Sequence, residues 1–248
     1  MLPTRRITTS GGDVFRDEFS LAFDGSNDYV DCGAFNNLIA HTSTTATLGV
    51  WMKSADDGTG SDSSACFVGE RTGFNAMLCK DDGSNTCAFK YTEVNAGIQN
   101  LCQSTTEVFD QQWHFIVGTY NSGVAKIYVD GVLEDTQDNS GTDTQLKCDV
   151  ASLGIGGESA TARRFYGNIS EVVIYDKALS ASEVKTLYNG REPYNYKEGI
   201  CLSNLKAWWR MGDGLENHSG TTIYDMSDNT NNGTMTNMDA EDFKGDTP

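Results

Sequence analysis

Proline and histidine are both scarce in this chain, at 3 residues each among 248. Scarce proline beside abundant glycine disfavours a helical bundle, and three histidines are few for a hydrolase or metalloenzyme. No apolar run approaches the ~18 residues that a membrane-spanning helix needs, which argues against membrane insertion. Positive charge is also short: 18 basic residues stand against 35 acidic ones, for a net charge of −17. A field of that sign repels phosphate backbones, so nucleic acid is not an expected partner. Neither a Gly-x-Ser-x-Gly elbow nor a Gly-Lys dipeptide occurs. Their absence removes the common serine-hydrolase and P-loop readings.

Glycine, by contrast, is abundant at 26, and the apolar residues fall in short runs. That combination describes many short strands joined by tight turns. The fold class expected is all-β: a two-sheet antiparallel sandwich with one short helix. Seven cysteines (Cys32, Cys66, Cys79, Cys87, Cys102, Cys148 and Cys201) make an odd set. At least one is therefore unpaired or pairs between chains. Small buried thiols between strands are the default, with one or two disulfides among residues 66–102 as the alternative. No cysteine or histidine spacing suits zinc.

Phe19, Leu21 and Phe23 alternate with small residues and predict a strand, which Asp24-Gly25-Ser26-Asn27-Asp28 turns. Thr47–Lys53 is the next strand, followed by a polar loop over 56–64. Residues 112–136 read as a three-stranded meander in which Asp130-Gly131 is a two-residue hairpin turn. Strands follow at 152–157 and 165–175. Ser180 and Glu183 then form a capping box for a helix whose stripe is Val184 and Leu187 and whose stop is Gly190. Leu205–Met211, Thr221–Ser227 and Thr234–Thr236 read as further strands, and the last residues as a loose tail.

Five of these segments, in order, resemble the laminin-G-like, concanavalin-A-like jelly-roll family. They are Ser20–Val30, Thr47–Lys53, Trp113–Tyr120, Ile127–Gly131 and Gly167–Tyr175 leading into Ala178-Leu179-Ser180. The resemblance spans residues 17–191, preceded by an arm (1–16) and followed by an extension (192–248). Within that extension, Leu205–Met211 and the segments after it look like the opening strands of the same family's domain. Two readings are open: the extension folds back onto the same sandwich, which is preferred because it covers Trp208 and Trp209, or it begins a second one.

Glycan-cleaving members of this fold carry a Glu-x-Asp-x-x-Glu strand motif that sets two carboxylates on one face. The motif is absent here. Glu107 and Asp110 read as solvated loop charges, and His114 as an outward strand residue. The chain is therefore expected not to be an enzyme. Asp24 and Asp28 flank a turn and are the candidate metal ligands, with calcium as the candidate cofactor. The resemblance implies an aspartate just before Glu171, where this chain has Ser170. Asp228-x-Thr230-x-Asn232-Gly233 reads as a turn. Phe74, Tyr91, Tyr194 and Tyr196 are the aromatics that would stack on sugars, or else pack at edges and interfaces. Asn168, Asn217 and Asn232 head glycosylation sequons.

The arm at 1–10 has two arginines but no apolar stretch behind them, so it does not read as an export signal. The function expected from these features is a non-enzymatic, surface-exposed virion protein. It would be a bacteriophage capsid decoration or a tail or fibre component whose lectin-like sandwich adheres to glycans. Its partners would be other virion proteins or cell-surface glycans, in a homo-oligomer or larger assembly on the virion surface. An extracellular carbohydrate-binding module is the alternative, and a glycan-cleaving enzyme with a non-standard site comes last.

Overall fold

The computed structural model describes residues 7–8, 14–54, 61–70, 76–95, 99–141, 143–148, 152–157, 163–192, 194–213 and 220–248. In chain order its strands are β1 (Ile7–Thr8), β2 (Val14–Phe15), β3 (Ser20–Asp24), β4 (Tyr29–Ala34), β5 (Thr45–Ser54) and β6 (Cys66–Glu70). They continue with β7 (Ala76–Lys80), β8 (Cys87–Thr92), β9 (Gln99–Gln103), β10 (His114–Asn121), β11 (Val124–Val129) and β12 (Val132–Asp138). The last are β13 (Ser152–Ile155), β14 (Tyr166–Tyr175), β15 (Leu205–Trp209), β16 (Thr222–Ile223), β17 (Gly233–Thr236) and β18 (Phe243–Lys244). One α-helix, α1 (Ala181–Tyr188), lies among the described residues.

Two antiparallel sheets make the sandwich. The first runs β12-β11-β10-β5-β14-β3-β18, with β15 also on β14, and the second runs β16-β17-β4-β13-β6-β7-β8-β9. Alternation explains what goes between them. Along β5, Ala46, Leu48, Val50 and Met52 face the inter-sheet core, as do Ile116 and Tyr120 of β10 and Phe89 and Tyr91 of β8. The opposite face of the first sheet carries a second apolar cluster of Trp51, Phe115, Val117, Tyr128, Val173, Tyr175 and Trp208. Helix α1 covers it with Val184 and Leu187, and the 194–204 connector adds Tyr196. The predicted capping box is present: Ser180 accepts from the Glu183 amide. The left-handed residue that ends the helix is Asn189 (φ 49°), one position before Gly190 (φ 64°).

Strand β14 has a divided edge. Tyr166–Ile169 pair with β3, whereas Val172–Tyr175 pair with β15. Between them the register shifts at Ser170–Val173, and Glu171 takes φ 47°. A bulge at this seam turns one side chain out of the regular alternation.

Several expectations need correction. Strands β6 to β9 fill a region where the sequence pattern showed none. The cysteines are all free thiols, so the disulfide alternative for 66–102 does not hold; six are buried and Cys201 is half-buried. The C-terminal tail is not loose. Phe243 pairs with Leu21, the Ser20 hydroxyl donates to the Asp246 carbonyl (2.6 Å), and Trp113 Nε1 donates to the Asp246 carboxylate (3.1 Å). The 56–64 loop and Phe74 lie wholly or partly outside the described residues.

Candidate functional site

The candidate metal ligands do come together. Asp24 Oδ1 accepts the amides of Ser26 (2.7 Å) and Asn27 (3.3 Å), and Asp28 Oδ2 accepts the amide of Asp24 (3.0 Å). This is a self-bonded turn of the kind aspartates favour. Asp28 is only 5 % exposed. Burial, the Asp24 charge and the Asp242 charge outweigh the Asp24 amide and push its carboxyl up to about 6. Arg164, clamped by Asp62 at 3.0 Å, donates to the Ser26 carbonyl and closes the turn from outside. Calcium prefers six to eight oxygens. Among the described residues no group of three or more acidic, histidine or cysteine side chains gathers to hold a metal. Two carboxylates already engaged by backbone N–H groups do not fit that demand.

The candidate aromatics resolve toward packing. Tyr91 lies in β8, inside the core, and its hydroxyl accepts from Asn139 (3.2 Å). Tyr196 is buried, 5.2 Å from the Trp208 ring, and Tyr194 packs edge-on against it. Neither Tyr91 nor Tyr196 presents a face to solvent.

His114 is the clearest departure. It is buried at 6 % exposure, with Nδ1 3.0 Å from Asp130 and Nε2 3.1 Å from Asp110. Burial disfavours its charge, but the two carboxylates outweigh burial and raise its pKa. Asp130 also accepts the Phe115 amide (2.9 Å), so the trio fastens the β11–β12 turn to β10. Glu107 and Asp110 sit in the loop before β10, not on a strand. Asp228 is exposed and pairs with Lys197 (2.9 Å). Its loop is organised instead by Asp225, whose carboxylate accepts the amides of Trp208, Ser227 and Asn231. Of the sequons, Asn168 lies within β14 with its amide donated to Ser20, Asn232 accepts the Asp225 amide, and Asn217 is outside the described residues.

Two features were not foreseen. The first is a buried polar cluster at the β14 seam. Glu171, 2 % exposed, accepts from Trp208 Nε1 and from Arg210 Nε (3.0 Å). The Arg210 guanidinium stacks 4.4 Å from the Phe15 ring, and Asp213 accepts the amides of Glu18 and Phe19. Burial and the neighbouring carboxylates of Glu171 and Asp213 hold the Asp17 carboxyl protonated well above its usual range. Glu171 is enclosed, Asp17 and Asp213 are half-buried, and the hydrogen bonds of all three go to the protein itself.

The second is an open groove of about 350 Å³ on the outer face of the first sheet. Thr119 and Asn121 of β10 and Val124, Lys126 and Tyr128 of β11 form its floor, in register as Thr119–Lys126 and Asn121–Val124. Ala178–Ala181 form one wall. The Thr47 hydroxyl fixes that wall, donating to the Lys177 carbonyl (2.6 Å) and accepting the Leu179 amide (3.0 Å). Lys126 has no ion-pair partner among the described residues. The lining carries no carboxylate, histidine or thiol.

Residues 24–185 match the family model described as the concanavalin A-like lectin/glucanases superfamily. The chain belongs to that family. A carbohydrate-binding protein from Bacteroides ovatus, so described as putative in its own name, superposes with a TM-score of 0.68 at 17 % identity, over 96 % of this chain and 64 % of that one. A heptameric SAP-like pentraxin from Limulus polyphemus gives 0.51 at 16 % identity, over 69 % and 82 %. The adhesion G-protein coupled receptor V1 of Danio rerio is 21 % identical over 168 residues, which is 63 % of this chain and 3 % of the receptor. Likeness at these identities fixes the lectin/glucanase-type fold. In that fold Ser170 stands where the resemblance implied an aspartate, and its hydroxyl donates to Asp17 (3.4 Å), a residue of the segment between β2 and β3.

Proposed function

We propose that the chain is a non-catalytic, lectin-like adhesion module that binds glycans in the groove between β10, β11 and Ala178–Ala181. The groove carries the proposal. At about 350 Å³ it falls within the ~300–1,000 Å³ range of small-molecule sites. It sets hydrogen-bonding groups (Asn121, Lys126, Ser180) beside the accessible apolar surfaces of Val124, Ala178 and Ala181, a mixture that suits a sugar's hydroxyls and its C–H face. No lining residue is equipped for acid–base cleavage of a glycosidic bond. The family and the name of the Bacteroides relative support the same reading.

The test is a glycan array with the wild-type chain and with Asn121→Ala and Lys126→Glu, each checked for folding by circular dichroism. Binding should fall at least tenfold in both variants. An array that stays blank overturns the function. Binding that a chelator abolishes but Lys126→Glu leaves intact moves the site to the Asp24–Asp28 rim. Turnover of a polysaccharide overturns the non-catalytic assignment.

The setting proposed is display on a virus particle as part of an oligomeric assembly, tested by mass spectrometry of purified particles. The alternative is an extracellular carbohydrate-binding module, a reading supported by the name of the Bacteroides relative and by the similarity to an adhesion receptor.

A further inference from the structure

Cys201 differs from the other six cysteines in being half-buried and in touching an amine. Its Sγ lies 3.0 Å from Lys177 Nζ and donates to Glu183 Oε1 at 3.0 Å, while Lys177 Nζ is 2.5 Å from the same Glu183 oxygen. The three groups come from three segments: the turn after β14, the first turn of α1 and the connector before β15. Glu183 is held by the capping box, because its Oε2 accepts the Ser180 amide (2.8 Å) and leaves Oε1 to the other two. The amine and the sulfur therefore meet at a fixed carboxylate, without any rearrangement of the backbone.

We propose that Lys177 and Cys201 are a peroxide-driven cross-linking pair that closes to a sulfenamide, a direct N–S bond between the two side chains. In the first step the Cys201 sulfur attacks a hydroperoxide oxygen. The O–O bond breaks, sulfur is oxidised to the sulfenic acid, and the peroxide leaves as water or alcohol. In the second step the Lys177 amine attacks that sulfur. The S–O bond breaks, and the departing hydroxide leaves as water with a proton from nitrogen. The protein loses two hydrogen atoms in all. A thiol reverses the link by attacking sulfur and releasing the amine.

Proximity replaces a bimolecular encounter in the second step. The geometry also sets the speed. Burial and the Glu183 carboxylate hold the Cys201 thiol protonated, against the opposing pull of Lys177, and the Glu183 contact holds Lys177 as an ammonium. Cross-linking is therefore slow near neutrality and accelerates as pH rises. Once formed, the bond ties the connector to the residue that precedes Ala178–Ala181, so oxidation stiffens that stretch of backbone.

The experiment treats the full chain with hydrogen peroxide at about pH 10, above the ordinary thiol range of ~8.5 because both partners are shifted upward, and maps tryptic peptides without reduction. The expected result is the Cys201 peptide joined to the Lys177 segment at the sum of their masses less two hydrogens. Cleavage after Lys177 should be lost, and dithiothreitol should separate the pair. Lys177→Arg keeps the positive charge and should abolish the link, sending Cys201 on to the sulfinic acid; Cys201→Ser should abolish both. The wild-type map stands alone should either variant misfold. Wild-type Cys201 reaching the sulfinic acid, or a disulfide between chains, with normal cleavage at Lys177 overturns the proposal. A link that retains an oxygen overturns the sulfenamide assignment.

Discussion

The carboxylate of Glu171 accepts the indole N–H of Trp208 where β14 exchanges β3 for β15 as its neighbour. The contact joins residues 37 apart, and Arg210 completes it from the same strand edge (3.0 Å). Breaking a buried charge pair by removing one partner leaves the other desolvated and unpaired, at a cost of about 3–5 kcal/mol. Glu171→Ala should therefore lower the urea-unfolding stability by that order. Glu171→Gln, which keeps an acceptor for Trp208 but not the charge for Arg210, should lose less. Equal losses in the two variants would show that shape, not charge, holds the seam.

The strand pattern was legible wherever one face is apolar and the turn residues are unambiguous. Leu21 and Phe23, Thr47–Met52 and the Asp130-Gly131 hairpin all belong to that class. It failed over 66–103 because β6 to β9 do not alternate in polarity: Cys66, Met77, Cys79 and Ala88 are buried on the face opposite the core. A strand buried on both faces reads as an undifferentiated run. Lys80 and Lys90 disguised it further, since both are buried, with the Lys80 amine over the Phe109 ring (4.8 Å) and the Lys90 amine paired with Asp82 (3.1 Å). The capping box was readable because it is local. The groove was not, since Thr119, Lys126 and Ser180 become neighbours only through sheet register and the Thr47 tether. His114 misled for a similar reason: its partner Asp130 is sixteen residues away across a hairpin.

At the rim, Asp28 carries a folded-state carboxyl of about 6 against an ordinary value of 3.8. A raised carboxyl contributes stability that is fully present below the unfolded value and is lost as pH climbs from about 4 through about 6. Above that window the Asp28 carboxylate is charged within its buried setting. Asp28→Asn should therefore raise Tm at pH 7 relative to wild type, with the gap closing toward pH 4, measured by thermal melts in chelator. In millimolar calcium the order should be unchanged. A wild-type Tm that rises with calcium and overtakes the variant would show that the rim recruits the ion with further oxygens.

The Asp110–His114–Asp130 trio gives the opposite kind of window. Burial lowers the His114 pKa, the two carboxylates raise it more, and the net shift is upward from 6.5. The charged ring then stabilises the fold below about 6.5, and the contribution disappears as pH rises through the folded value. His114→Gln should be less stable than wild type at pH 6, with the gap closing as pH rises through the folded value of the ring. Titration of the His114 ring by NMR gives the folded pKa directly. A midpoint at or below the free-histidine value would mean that burial outweighs the carboxylates.

Gly33 and Gly156 separate backbone strain from packing. Both are left-handed, at φ 74° and φ 75°. A Cβ on Gly33 meets nothing within 4 Å, whereas one on Gly156 falls 2.1 Å from Phe23 Cε1. Phe23 cannot easily yield, because its ring sits in the core 6.4 Å from Phe165, and Phe165 is itself tied by its amide to the Gly156 carbonyl (2.9 Å). Gly33→Ala should thus show the left-handed penalty alone, about 1–2 kcal/mol. Gly156→Ala should add an overpacking cost of about 1–3 kcal/mol. Urea midpoints of the two variants measure the difference. If they fall together, Phe23 repacks freely and the inter-sheet core at this end is looser than its burial implies.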